Sequence, residues 1–397
     1  MHLPLQGVRV LDLSRVLAGP WCAMVLGDFG AEVIKIEHPS RGDDTRDWGA
    51  RVGDTETAYF NSVNRNKRSV TANLQTPEGQ HIVRELVKQS DVLVQNFKAG
   101  GLDKLGLGYE QLKVLKPELI YCSISGYDCS GPEAGRPGYD LVIQGEAGLM
   151  SINGEPHQSP LKFGVAAVDM FTGMYSAQAV LAALYERQRT GRGRHIEMAL
   201  YDCGVAISAY YGLEALQLQQ DPPRYGNGHP SIVPYGVFDS ADGPLVITVG
   251  NNLQFERFAR EVIERPDLAD DTRFKTNVGR SAHRDHLLAA IEPELRRYPR
   301  QWLLQRLADA GIPCGEVRGL HDALTSERTG VGQLLHHYTH PVAGPARVLA
   351  PPYRFDGERL PVRCPPPILG GDTSVVLRER LNLDDTAIQN LRRAGAV

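Results

Sequence analysis

Three stretches decide the fold class: Gly7-Val-Arg-Val-Leu-Asp-Leu13, the run from Pro20 to Asp28 stopped by Gly30, and Ala31-Glu-Val-Ile-Lys-Ile-Glu37. The first and third are short, apolar and β-branched, which suits strands buried on both faces, and the run between them is long enough for a helix. The alternation continues outward. Thr76-Pro77-Glu78 supplies an N-cap, a proline at the first helical position and an acidic first turn, and a helix through Ile82, Leu86 and Val87 follows. Asp91-Val-Leu-Val-Gln95 and Glu118-Leu-Ile-Tyr-Cys-Ser123 read as further strands, with a helix near Tyr109 to Leu115 between them. Strand–helix alternation predicts an α/β fold with a parallel sheet covered by helices, and ligands on such sheets bind at the loops beyond the strands' carboxyl ends.

At 397 residues the chain exceeds one ordinary core, so two domains are expected. The composition is 42% hydrophobic and 23% charged, with no run long enough to span a bilayer and no signal-peptide pattern, so no membrane partner is expected. A net charge of −4 argues against a nucleic-acid partner. Six cysteines without a C-x-x-C pair suggest reduced thiols and a cytoplasmic protein. A polar, Pro- and Gly-bearing stretch from Gln217 to Gly228 reads as a linker. Beyond it Tyr235-Gly-Val-Phe238 and Pro244-Leu-Val-Ile-Thr-Val249 form a hairpin pattern, helices dominate from Leu253 to about Leu324, and the tail returns to strand-like segments before a last helical piece.

The chemistry centres on Gly164-Val-Ala-Ala-Val-Asp-Met-Phe-Thr-Gly-Met-Tyr-Ser-Ala177. A lone carboxylate, Asp169, precedes a helical pattern that ends at Thr190-Gly191. The spacing puts it at or just before a helix N-terminus, where free N–H groups and the dipole would keep it ionised and could stabilise an oxyanion on a carbonyl it attacks; simple capping is the alternative. The loop Ser14-Arg-Val-Leu-Ala-Gly-Pro20 has a single glycine where a dinucleotide site needs Gly-x-Gly-x-x-Gly, and no Walker loop or Gly-x-Ser-x-Gly elbow occurs. His336, His337 and His340 could share one helical face, as could His283 and His286, but no third ligand is visible, so no metal site is expected. The basic cluster Asn64-Arg-Asn-Lys-Arg-Ser69 suits phosphate groups or a solvated turn equally. Asn96-Phe-Lys-Ala-Gly-Gly101 fits a nucleotide at a strand's end or a structural loop.

Val10-Leu-Asp-Leu-Ser-Arg-Val-Leu-Ala-Gly-Pro20, Gly30 to Glu37, Asn64 to Ser69, Asn96-Phe97, Gly135-Arg-Pro-Gly-Tyr-Asp140, the Asp169 stretch and Pro366-Pro-Ile-Leu-Gly370 together resemble the class III CoA-transferases, the CaiB/BaiF family. The resemblance implies a Rossmann-like large domain built from both chain ends (1–220 and 329–397), a smaller α+β domain (221–328) and two subunits interlocked as a homodimer. It also implies Asp169 as the covalent nucleophile, and CoA contacts from Val16, Leu17, Ala18, His38, Leu74, Asn96, Phe97, Lys104 and Arg136. Family members often carry a basic residue where this chain has His38. Coenzyme A thioester would be a substrate, with no prosthetic group, and the partners would be acyl-CoA and small carboxylic acids.

His229-Pro-Ser-Ile-Val-Pro-Tyr235 and Gly250-Asn-Asn-Leu-Gln-Phe255 look like succinyl-CoA-dependent transferases acting on dicarboxylates such as glutarate or itaconate. Arg46, His229 and Ser231 are the candidates for a second carboxylate, Trp48, Tyr59, Tyr139 and Asp140 shape the pocket, and Gly228 lies in a glycine-bearing stretch that partly matches the family's lid. Two alternatives remain: an α-methylacyl-CoA racemase of the same fold and a non-catalytic CoA-binding protein. The racemases carry a histidine where this chain has Tyr139, a poor base toward a C–H bond near neutral pH.

Overall fold

A computed structural model describes residues 2–54 and 56–397. The chain forms two compact units. One comprises the chain through Leu149, Phe163–Gly212 and Glu327–Val397; the other comprises Met150–Lys162 and Leu213–Ser326. The sequence reading keeps residues 1–220 together, whereas Met150–Lys162 and residues 213–220 group with the second unit.

The first unit is built on six parallel strands: β1 (Arg9–Asp12), β2 (Glu32–Glu37), β3 (Lys67–Thr71), β4 (Val92–Gln95), β5 (Ile120–Ser125) and β6 (Arg194–Ala199). Their order is β3-β2-β1-β4-β5-β6, so successive strands step one way from β1 and then the other, leaving a topological switch point between β1 and β4. The connecting helices include α1 (Ala18–Asp28), α2 (Pro77–Lys88), α3 (Tyr109–Leu115), α4 (Asp140–Glu146) and α5 (Ala167–Thr190). α2 starts as its sequence dictates: Pro77 is its first residue, and Thr76 Oγ1 accepts from Gly79 N–H at 3.1 Å. α1 and α5 meet at Gly173. A Cβ there would lie 2.6 Å from the Ala18 carbonyl oxygen and 2.9 Å from Trp21 Cβ, so only glycine permits this approach. The chain's end covers the outer edge of the sheet: Asp372 Oδ2 accepts from Ser69 N–H at 2.9 Å, and Thr373 Oγ1 accepts from Thr71 N–H at 3.0 Å.

The basic cluster turns inward, against the phosphate reading. Lys67 is buried, and its ammonium donates to Asp12 Oδ2 (2.8 Å), the Pro20 carbonyl (2.9 Å) and Asn64 Oδ1 (2.9 Å), which engages all three of its protons. Arg65 grips Asp28 through two nitrogens, and Arg68 bridges Glu32, Asp372 and Glu379. The charged partners lie tens of residues or more away along the chain, which is why the cluster reads as unpaired in the sequence. The imidazoles of 336–340 also sit differently. Leu335–His340 is a strand paired with Gly344–Leu349, so His336 and His337 point to opposite faces, while His340 is buried with Nε2 2.5 Å from Glu56 Oε2.

The second unit carries an antiparallel three-stranded sheet of β7 (Tyr235–Asp239), β8 (Pro244–Thr248) and β9 (Cys314–Glu316), and helices that close over Phe255, Phe258, Phe274, Ile291 and Leu303. β7 and β8 are the hairpin the sequence announces. Among the described residues no helix is long and apolar enough to cross a membrane.

Lys67→Met should destabilise the protein by about 3–5 kcal/mol in urea unfolding, because Asp12 would be left buried without its cation. A phosphate-binding Lys67 would instead lower CoA affinity and leave stability unchanged.

Candidate active site

The loops at the switch point are stitched by one asparagine. Asn96 Oδ1, just past β4, accepts from Arg15 N–H at 2.9 Å, and its Nδ2 donates back to the Arg15 carbonyl at 2.7 Å. Between β1 and α1 the chain passes through Val16 at φ 70°, a left-handed conformation that costs a β-branched residue about 1–3 kcal/mol. The Val16 N–H is held by Asp43 Oδ1 at 3.2 Å, and Asp43 is itself tied to Lys35 at 2.9 Å. A loop kept in a strained shape by buried charges is one whose backbone position matters.

These loops wall a cavity of about 450 Å³ that also contains Asp169, Tyr139 and Arg136. Val16, Leu17, Ala18, Asn96 and Phe97 all line it, which brings six of the nine expected CoA contacts together. A smaller cavity of about 150 Å³ is lined by His38 and Leu74, and by Phe97 from its other side. Lys104 is exposed and lines neither. Burial and the neighbouring Arg41 push the His38 imidazole below its ordinary pKa, so it carries little positive charge at neutral pH. Arg41 lines the same cavity and is the cation that the sequence reading passed over.

Asp169 lies in the first turn of its helix, as its spacing suggests, but it is not the cap. α5 begins at Ala167 with Ala166 as the capping position, so Asp169 is the third helical residue. The cap comes from another helix: Asp140 Oδ1, at the start of α4, accepts from the N–H groups of Val168 (2.8 Å) and Asp169 (3.2 Å). The donors expected to hold Asp169 ionised, or to receive an oxyanion, are therefore engaged. Burial first and the Asp140 charge second push the Asp169 carboxyl up to about 7, instead of leaving it as an ordinary ionised carboxylate.

The expected pocket residues divide. Trp48 and Tyr59 have ring centroids 6.0 Å apart, and burial, then the charge of Asp169, raises the Tyr59 hydroxyl to about 12. Tyr139 is exposed at the entry to α4. Arg46 is committed elsewhere: it is buried, donates to both carboxylate oxygens of Glu37 (2.8 and 2.7 Å) and stacks on Phe60 at 3.7 Å, so reading a substrate carboxylate would break a buried pair. Gly228, His229 and Ser231 belong to the second unit, on a loop held by Arg284, which donates to the His229 carbonyl at 2.6 Å, and by Asn277, which donates to the Ser231 carbonyl at 2.9 Å. Sequence alone gave no sign of Gln144, whose Nε2 donates to Asp140 Oδ2 at 2.6 Å.

A parallel sheet in 3-2-1-4-5-6 order, with a carboxylate set in a cavity at its switch point, defines an α/β enzyme built for an extended ligand. Residues 5–373 match CoA-transferase family III, and the chain belongs to that family: it is a class III acyl-CoA:carboxylate CoA-transferase, with CoA thioesters as substrates. It is 40% identical over 394 residues to the succinyl-CoA:glutarate CoA-transferase of Mus musculus, covering 99% of this chain and 90% of that protein. It is 45% identical over 325 residues to the succinate–glutarate CoA-transferase of Agrobacterium fabrum, covering 80% and 81% respectively. The crystal structure of a CaiB/BaiF family protein from Brucella suis superimposes with a TM-score of 0.85 at 41% identity, covering 96% of this chain and all of that one.

Because the folded pKa of Asp169 is raised, its ionisation opposes folding: the penalty is absent near pH 4, grows as pH rises and is complete above about 7. Asp169→Asn should therefore stabilise the protein at pH 8, on the order of 2 kcal/mol, and much less at pH 5. Thermal melts of both proteins across that range check the sign.

Proposed function

We propose that this enzyme moves CoA from succinyl-CoA to a dicarboxylate of the glutarate or itaconate type, with Asp169 as the covalent carrier. An Asp169 oxygen attacks the donor thioester carbonyl, forming a C–O bond while the C–S bond breaks and CoA leaves as a thiolate. The product is a mixed anhydride. The thiolate then attacks the aspartyl carbonyl, giving an aspartyl-CoA thioester and releasing the donor acid. The acceptor carboxylate attacks this thioester, expels the thiolate again and forms a second anhydride. Attack of the thiolate on the acceptor's acyl carbon yields the new acyl-CoA and regenerates the carboxylate. Each intermediate keeps the activation of the original thioester, so atoms and charge balance without an energy source. The thiolate must wait without escaping, which the walls of the cavity favour.

The observation that carries this reading is Asp169 itself, a partly buried carboxylate with a raised pKa in the cavity at the switch point. In this reading the pantetheine arm runs past Val16–Ala18 and Asn96–Phe97, and the nucleotide end lies by His38, Arg41 and Leu74. The two relatives named for glutarate support a dicarboxylate acceptor. Arg46, committed to Glu37, is not the group that reads a second carboxylate. The reading includes a homodimer whose subunits interlock, since Leu141, Phe171, Met174 and Tyr185 expose large apolar surface that a second copy would cover. It also places the enzyme in the cytoplasm, where its six unpaired cysteines would stay reduced.

Incubating the protein with succinyl-CoA and a panel of acids, read by mass spectrometry, should give product with glutarate or itaconate. Turnover only with monocarboxylates overturns the acceptor class. Hydroxylamine present during turnover should modify the peptide bearing Asp169, and Asp169→Ala should abolish transfer while CoA binding persists.

A further inference from the structure

The N–H groups of the first four residues of α5 are all engaged. Ala167 donates to the Val165 carbonyl at 2.8 Å, Val168 and Asp169 donate to Asp140 Oδ1, and Met170 donates to the Ala166 carbonyl at 3.0 Å. A carboxylate in a helix's first turn normally takes those donors for itself. Here a different carboxylate has them, and it is buried. Gln144, also buried, fixes Asp140 in turn: its Nε2 reaches Asp140 Oδ2, and its Oε1 accepts from Phe163 N–H at 2.8 Å. The arrangement sets two acidic side chains together at one helix end, with neutral donors alone holding Asp140.

We propose that Asp140 is a positioning residue for the nucleophile: it anchors the backbone of the first turn of α5 and, as a second anion beside Asp169, keeps that carboxylate reactive instead of quieted by the helix end. The inference rests on Asp169 being the nucleophile. Other groups facing the same space do not offset the effect. Arg15 is paired with Asp44 at 2.9 Å, Arg136 with Glu133 at 2.7 Å and also with Glu146, and Lys98 lines the cavity without being among the groups that shift Asp169. Tyr59, its hydroxyl raised by burial and then by the charge of Asp169, carries no charge near pH 7. When Asp169 attacks, its negative charge moves to the thioester oxygen and then to sulfur. Repulsion from Asp140 is therefore strongest in the resting enzyme and falls along the reaction, the condition under which an interaction raises the rate.

The test is Asp140→Asn, which keeps an acceptor for the two N–H groups and removes the charge. Adduct formation on Asp169, trapped with hydroxylamine in a single turnover, is followed against pH. In the unmutated enzyme it should fall as pH drops through about 7. In the variant that limb should move to lower pH, and the rate above it should drop several-fold, by less than the roughly tenfold that one full pKa unit of nucleophile basicity could supply. Asp140→Ser, which also offers an oxygen without charge, should shift the limb the same way and serves if the first variant folds poorly. An unmoved limb with only a lowered melting temperature in either variant means that Asp140 merely caps the helix, and the inference falls. If the unmutated enzyme forms its adduct elsewhere than Asp169, the nucleophile assignment falls as well, so the two failures are told apart.

Discussion

The pairing of Asp12 with Lys67 in a dry interior is the constraint on which the site depends. Asp12 ends β1, and Lys67 begins β3, two strands away. Burial alone would raise the Asp12 carboxyl, but the charges of Lys67 and Lys35 outweigh it and hold it below the usual carboxylate range. The lysine also ties the Pro20 carbonyl, so the start of α1 is fixed to the sheet by the same ammonium. Ser14 hydrogen-bonds Asp12, and Lys35 donates to the Ser14 carbonyl at 2.7 Å. The loop between β1 and α1 is thus held at both ends by buried charge, and Val16 is carried into its strained conformation between them. Neutral side chains of the same size would fill the space, but they would not fix the loop's direction.

From that loop the geometry passes to Asp169 through helix packing. α1 leaves the loop at Ala18, and its first turn meets α5 at Gly173, one turn beyond Asp169. The closeness of this contact sets how near the carboxylate lies to Val16–Ala18. The opposite wall comes from β4, whose Asn96 amide copies a backbone pairing across the switch point and keeps the two loops in register.

Much of this was legible in the residues, and the illegible part has a common cause. β1, β2, β4 and β5 announce themselves locally through β-branched runs, and α2 through its Thr76-Pro77 start, and the structure puts them where those signals fall, whereas β6 and α4 were not read from the sequence. Asp169 is recognisable as a carboxylate at a helix start because that too is a local pattern. What sequence could not show is who owns a charge. Arg65, Lys67 and Arg68 look like an open cationic patch until Asp28, Asp12 and Glu379 arrive from remote segments. Arg46 looks available until Glu37 takes it. The same blindness produced the expectation that Asp169 keeps its own helix N-terminus, when the donors belong to Asp140, 28 residues before Val168. The histidines of 336–340 failed for a different reason: spacing of three and four fits a helical face, but the stretch pairs as a hairpin, and tertiary context overrode the pattern.

The ownership of those donors bears on how a carboxylate can serve as a carrier at all. An ordinary carboxylate is weakly basic, and donor and acceptor acids are carboxylates of similar basicity, so a carrier of equal basicity gains nothing by accepting the acyl group. Raising the free energy of the resting anion brings it closer to the covalent intermediates, which no longer carry that charge, and so flattens the profile between them. A helix N-terminus turned toward Asp169 would do the reverse and deepen the resting state. Giving its N–H groups to Asp140 removes that stabilisation while still satisfying the backbone. The adjacent anion also disfavours a second carboxylate drifting against the site unless that carboxylate is the one reacting. In the proposed reading one carboxylate therefore holds the helix and the other does the chemistry, because a single group cannot be both well satisfied and reactive.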